Sequence, residues 1–265
     1  MPKFAANLTM LYNELPFLQR FAAAADDGFS AVEFLFPYAH SADDVAAAAR
    51  SAGVQVVLHN LPPGDWDGGE RGIACLADRS AEFRAGVEQA LVYAQALGVT
   101  QLNALAGRLP DGADRAAASA TLVSNLGYAA ERLAAAGIKL LLEPINHLDM
   151  PGYLVNTTAQ AMAVLDAVGS TNLWLQADIY HMQRMEGELA ATLERLLPRI
   201  AHIQIADNPG RNEPGSGEIN YPFLFRHLDR IGYAGWVGCE YKPQSGTSAG
   251  LGWLRAQRHP QDCQA

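Results

Sequence analysis

The amino-acid sequence predicts a closed parallel barrel of eight strand–helix units, a (β/α)8 fold. Three observations predict it. Short apolar runs alternate with helical patterns eight times, the mark of a parallel sheet. The length of 265 residues fits one such barrel, which needs about 250. No linker or shift in composition interrupts the alternation, so residues 1–265 read as one domain with a short tail after about residue 258. A doubly wound open sheet is the alternative, but neither Gly-x-Gly-x-x-Gly nor a Walker A sequence follows the first strand.

The elements follow in order. Phe4–Met10 reads as strand one, with Asn7 toward its end. Phe17, Leu18 and Phe21 give Pro16–Ala25 a helical period, and Gly28 stops it. Ala31–Phe36 is strand two, with Glu33 inside it and Pro37 closing it. Ser41 caps the second helix, with Asp44 three residues on as a weak capping box. Val54–His59 is strand three. The stretch from Asn60 to about Arg79 is irregular and rich in Gly and Pro, and a loop this long inside a compact domain is usually functional. Glu82–Leu97 is helix three, Thr100–Leu105 strand four, and the alanine-rich Asp114–Ala136 helix four. Strand five runs from Ile138 to Glu143. Helix five starts at Thr157 or Thr158 and ends near Val168. Strand six, Leu173–Asp178, helix six, Glu188–Leu197, and strand seven, Ile200–Ile205, follow. A second Gly- and Pro-rich loop, Asn208–Asn220, precedes helix seven, Tyr221–Ile231. Val237–Tyr241 is strand eight, and a short helix near Leu251–Gln257 ends the pattern.

Composition narrows the function. A hydrophobic content of 49% supplies a large core and argues against disorder. The formal charge of −9 argues against a general polyanion-binding surface, so no nucleic-acid partner is expected. Cys75, Cys239 and Cys263 are scattered and form neither a disulfide framework nor a Cys-x-x-Cys motif. Met1-Pro2-Lys3-Phe4 opens without a charged-then-apolar signal, and no apolar stretch reaches about 18 residues. The expectation is a soluble cytoplasmic protein that works on a small molecule, with no membrane partner and with homo-oligomerisation left open.

Chemistry concentrates at the strand ends. Strand five, apolar on both faces, runs through Leu140, Leu141 and Leu142 into Glu143, and Pro144 stops the ladder. Strand six ends in Asp178, strand seven places Gln204 near its end, and Trp236–Cys239 is followed by Glu240. In a barrel all strand C-termini open on one face, so these four oxygen donors converge. Any one of them alone reads as a loop carboxylate or a helix-dipole partner. Three carboxylates brought together repel, and a hard divalent cation, Mg²⁺ or Mn²⁺, resolves the repulsion. His181, three residues after Asp178, either hydrogen-bonds a substrate oxygen or ligates directly. His202 lies one layer deeper and reads as a satisfied core histidine. Glu33 reads as the buried partner of a cation. His59 either binds substrate or stands at a strand end facing water.

At these residues the sequence resembles the hydroxypyruvate isomerases, a family of xylose-isomerase-like TIM barrels. The segments Phe4–Leu8, Val32–Tyr38, Pro63-Gly64-Asp65, Gly217–Tyr221 and Gly238–Pro243 carry the resemblance, which spans nearly the whole chain. His59–Pro62, Gly69–Gly72 and Asp207–Arg211 are closer to a branch that isomerises 2-oxotetronate. The resemblance implies that Glu143 and Glu240 are the paired proton donor and acceptor. It also implies Glu143, Asp178, Gln204 and Glu240 as metal ligands, Gln204 standing where the superfamily more often has histidine. An all-oxygen set makes zinc a poorer fit than magnesium or manganese.

The implied reaction moves a hydrogen between adjacent carbons of a small 2-oxo-3-hydroxy acid, hydroxypyruvate or 2-oxotetronate, through a metal-stabilised enediolate. The substrate carboxylate needs a cation. Arg71 and Arg211 sit in the long loops and Lys242 just past strand eight, where each either meets that carboxylate or stays a solvated charge. Three other readings compete. A ketose 3-epimerase needs the same metal and glutamates, an apurinic endonuclease needs further ligands and a basic face, and a binding barrel leaves the adjacent carboxylates unexplained.

Overall fold

A computed structural model describes residues 1–258; the expected tail beyond residue 258, with Cys263, lies outside the described residues. Eight parallel strands close into a barrel in sequence order, each paired with its neighbours and β8 with β1. They are β1 Lys3–Asn7, β2 Ala31–Glu33, β3 Gln55–Asn60, β4 Gln101–Ala104, β5 Lys139–Leu142, β6 Leu173–Asp178, β7 Ile200–Ile205 and β8 Trp236–Cys239. The expected barrel is the observed one.

Around it stand α1 Arg20–Asp26, α2 Ala42–Ala52, α3 Ser80–Leu97, α4 Arg115–Ala135, α5 Thr158–Val168, α6 Ile179–Met185, α7 Leu189–Leu196, α8 Tyr221–Arg230, α9 Thr247–Gly250 and α10 Gly252–Arg258. Side chains of Ser41, Asp114 and Thr157 cap α2, α4 and α5 by accepting from backbone N–H groups, as the sequence pattern requires. Apolar faces of the helices pack on the outside of the barrel in one continuous core. No helix among the described residues is long and apolar enough to cross a membrane.

Several boundaries differ from the sequence pattern by a residue or more, and three of the differences have a visible cause. β1 stops at Asn7 because the Asn7 side chain accepts from Thr9 N and turns the chain. β2 stops at Glu33, where the register against β3 shifts. The stretch after β6 is an additional helix, α6, capped by Asp178 itself.

The interior of the barrel is polar toward the strand ends. Glu33 on β2 meets β7 across the barrel: His202 Nε2 lies 2.6 Å from its Oε2, and Gln204 Nε2 donates to its Oε1 over 2.7 Å. Asn7 Nδ2 donates to the same oxygen over 2.9 Å. Glycine at 238 leaves room for this carboxylate, since any Cβ there would collide with it. Glu33 is therefore the anchor of a buried network. His202 is satisfied between Glu33 and Gln101, 3.1 Å away on its other ring nitrogen.

Candidate active site

The strand ends build the site. Glu143 follows the last residue of β5, and its Oε2 accepts from Gln176 Nε2 over 3.0 Å and from Asn103 Nδ2 over 3.3 Å. Asp178 closes β6, and its Oδ1 accepts from the N–H groups of Tyr180 and His181 at the start of α6, which leaves its buried Oδ2 without a partner. Glu240 follows β8, and Arg211 Nη2 donates to its Oε2 over 2.7 Å while lying 3.8 Å from Asp178 Oδ2. Gln204 is fixed at both ends of its amide. Its Nε2 points to Glu33, so its Oε1 faces Gln176 Nε2, 2.6 Å away.

His181 shows how the loops finish the site. Asn146 Oδ1 accepts from Asp149 N over 2.8 Å, which fixes its amide. Its Nδ2 then donates to His181 Nδ1 over 2.6 Å. The imidazole proton is thereby placed on Nε2, which points between Asp178 Oδ2 at 3.6 Å and Glu143 Oε1 at 3.7 Å. Burial and the nearby Arg211 guanidinium hold the imidazole well below its ordinary pKa, so it is neutral.

The carboxyls are shifted the other way. Burial first, then the Glu240 and Asp178 carboxylates, pushes Glu143 well above the ordinary carboxylate range. Burial raises Asp178, with Arg211 opposing. Burial pushes Glu240 up to about 8, again against the pull of Arg211. Donor atoms of Glu143, Asp178 and His181 lie within 4.8 Å of one another.

Glu143, His181 and Glu240 open on a cavity of about 420 Å³, which Asp178 and Gln204 do not line. Glu143, Glu240, His181, Arg211, Arg71 and Lys242 all line it, together with Trp66, Asn60, Tyr180 and Arg184. His59 does not line it. That histidine is fully buried, stacked on Phe34 at 6.2 Å, and burial lowers its pKa to about 4. Lys242 is exposed at the rim, and Arg211 is hydrogen-bonded to Glu240. Arg211 sits at φ 55°, a strained backbone for a non-glycine residue, in a loop that Asp207 organises by accepting from Asn208, Gly215 and Ile219 N–H groups. Arg71 stacks on Trp66, with its guanidinium 4.1 Å from the ring centre.

Sequence reasoning missed Asn146, Asp149, Gln176 and Arg108. Gln176 was legible as the polar exception in an apolar strand. Asn146, in the Glu-Pro-Ile-Asn turn, gave a weaker signal, and Arg108 gave none beyond its place after a strand.

Eight closed parallel strands with acids at their C-terminal mouth define the class, and the comparisons agree. Residues 21–257 match the family described as xylose isomerase-like TIM barrel, and the chain belongs to it. Within that family it is an isomerase of the hydroxypyruvate and 2-oxo-tetronate isomerase group. It is 52% identical to a hydroxypyruvate isomerase of Escherichia coli K12 over 258 residues, 97% of this chain and 100% of the relative. It is 52% identical to a 2-oxo-tetronate isomerase of Cupriavidus necator over 255 residues, 96% and 98% of the two chains. A solved structure from Brucella melitensis, named AP endonuclease, family 2, is 46% identical with a TM-score of 0.94, covering 96% of this chain and 98% of that one.

Proposed function

We propose that this isomerase interconverts a small 2-oxo-3-hydroxy acid and its aldehyde or 3-oxo isomer, with hydroxypyruvate and 2-oxotetronate as the two candidate substrates. One observation carries the reading: Glu143 and Glu240, both buried and both raised in pKa, open on the same cavity. Groups poised near working pH suit proton transfer in both directions.

The residues fit a divalent metal. The buried, unpartnered Asp178 Oδ2 stands beside Glu143 in a cluster of carboxyls that repel when ionised. Glu143, Asp178, Gln204 and Glu240 would hold Mg²⁺ or Mn²⁺ through oxygen alone. His181 is better suited to donate, because Asn146 leaves its Nε2 carrying the proton. The bound cation supplies a Lewis acid toward the oxygens of the reacting carbons.

One glutamate takes the proton from C3, and the electron pair moves into an enediolate. The hydroxyl proton on O3 passes to O2, and the same or the other glutamate returns a proton at C2 as the O3 electron pair forms the new carbonyl. His181 Nε2–H donates to the oxygen that gains charge. Arg211, anchored by Glu240, keeps that glutamate's position and adds positive charge beside it.

The name of the Brucella protein favours a second reading, an abasic-site endonuclease. The net charge of −9 and a cavity of about 420 Å³ favour a small acid, and so does a single Glu143–Asp178–His181 cluster able to hold a metal among the described residues. The test is to incubate the Mg²⁺- or Mn²⁺-loaded protein with hydroxypyruvate and with 2-oxotetronate and follow the products by NMR. Formation of tartronate semialdehyde or 3-oxotetronate is expected. Conversion of neither, alongside cleavage of abasic DNA, would overturn the reading.

A further inference from the structure

Two loops cross at glycines beside the cavity. Gly72, at φ 98°, lies against the chain after β4, where an added Cβ would meet Leu105 O at 2.6 Å. Gly107, at φ 103°, lies against Gly72, where a Cβ would meet Gly72 O at 2.7 Å. The loops are stitched by Cys75 N donating to Ala106 O over 3.0 Å. This contact sets the residues next to the glycines, Arg71 and Arg108, on the wall of one cavity.

The two arginines differ from the other two arginines there. Arg211 is paired with Glu240, and Arg184 with Asp149 at 3.4 Å. Among the described residues no carboxylate lies within ion-pair distance of Arg71 or Arg108. Arg71 Nη1 donates only to the carbonyls of Trp66 and Glu70, at 2.9 and 2.6 Å, and its stacking on Trp66 holds the plane of the guanidinium. Arg108 makes one long contact, Nη1 to Gly69 O at 3.4 Å, and its Nε is buried without a partner. A partly buried guanidinium left unpaired is costly, and an anion offering two oxygens satisfies it.

We propose that Arg71 and Arg108 together clamp the carboxylate of the 2-oxo acid, and that Arg108 determines the preference for an acid over an uncharged ketone. This deepens the isomerase reading and rests on it for the substrate. It also separates duties: Arg211 serves the glutamates, and the loop pair serves the carboxylate.

The probe is pyruvate, a 2-oxo acid without the 3-hydroxyl and so unable to isomerise, with pyruvamide as its uncharged counterpart. Binding of each to the Mg²⁺-loaded protein is measured by calorimetry for wild type, Arg108→Met and Arg108→Lys, with thermal melts confirming folding. Wild type should prefer pyruvate by at least about tenfold, as expected for a charge-assisted pair. Arg108→Met should erase the preference, and Arg108→Lys should keep part of it, because lysine retains the charge and loses the fork. With a turned-over acid, Arg108→Met should raise KM about tenfold or more and leave kcat nearly unchanged. A folded Arg108→Met that still prefers pyruvate as wild type does would overturn the clamp, as would a wild type indifferent to the two probes. A wild type that prefers pyruvate through Arg108 yet isomerises neither acid would sink the isomerase reading and leave the clamp standing.

Discussion

Metal binding at this site should release protons, and the amount follows from the carboxyl environments. Burial pushes Glu240 up to about 8. At pH 7 that carboxyl is then about nine-tenths protonated in the metal-free protein. Burial and the neighbouring carboxylates raise Glu143 in the same direction. A cation ligated by Glu240 must displace its proton, so loading at pH 7 should release about one proton. The apparent affinity should rise about tenfold per pH unit for each proton displaced between pH 6 and 8, and the Glu240 contribution should flatten above about pH 9. Stability follows with the matching sign. A carboxyl whose folded pKa exceeds its unfolded value stabilises the fold below the unfolded value, about 4.3, and loses that contribution as pH rises through the folded one. The metal-free melting temperature should therefore fall between pH 5 and 8, and saturating Mg²⁺ or Mn²⁺ should restore it increasingly with pH. The assay is calorimetric titration of the metal in two buffers of different ionisation enthalpy, whose difference counts protons. Release near zero at pH 7, with affinity flat from pH 6 to 8, would refute the protonated Glu240 and place the cation elsewhere.

Two further outcomes are expected. Glu143→Gln and Glu240→Gln should each lower turnover at saturating metal by roughly 10²–10⁴-fold where the residue moves the proton, because an amide is no base; wild type in D₂O should wash deuterium into the substrate, and full exchange in both variants would name another base. Gly72→Ala should destabilise the protein by about 1–3 kcal/mol, since it combines strain at φ 98° with a clash against Leu105 O, and chemical denaturation with an unchanged midpoint would refute the close crossing.

The barrel was legible because its signals are local. Strand five, Leu140–Leu142 into Glu143, announces both a buried strand and an acid at its mouth, and a closed parallel barrel puts every such end on one face. The added helix α6 was not legible. Its seven residues follow Asp178 directly, and the aspartate that reads as a ligand is at once the cap that starts the helix. His59 misled for a different reason. Its position at a strand end is a fact of sequence, but Phe34 and Tyr38, which pack against it, come from the chain after the neighbouring strand β2. Arg108 was invisible because its meaning lies in Gly72 and Gly107 touching across 35 residues, a contact that no periodicity encodes.

The Glu33–Gln204–Gln176–Glu143 chain carries a consequence for how this site can change over generations. Gln204 has one amide face committed to Glu33 and the other to Gln176, and Gln176 in turn holds Glu143. Exchanging Gln204 for a histidine would free one donor and one acceptor in the buried interior. Positions 33, 176 and 204, on three different strands, are thus bound to drift together. A lineage that changes Gln204 alone passes through a less stable protein, so neighbouring sequences should differ at all three of these positions or at none.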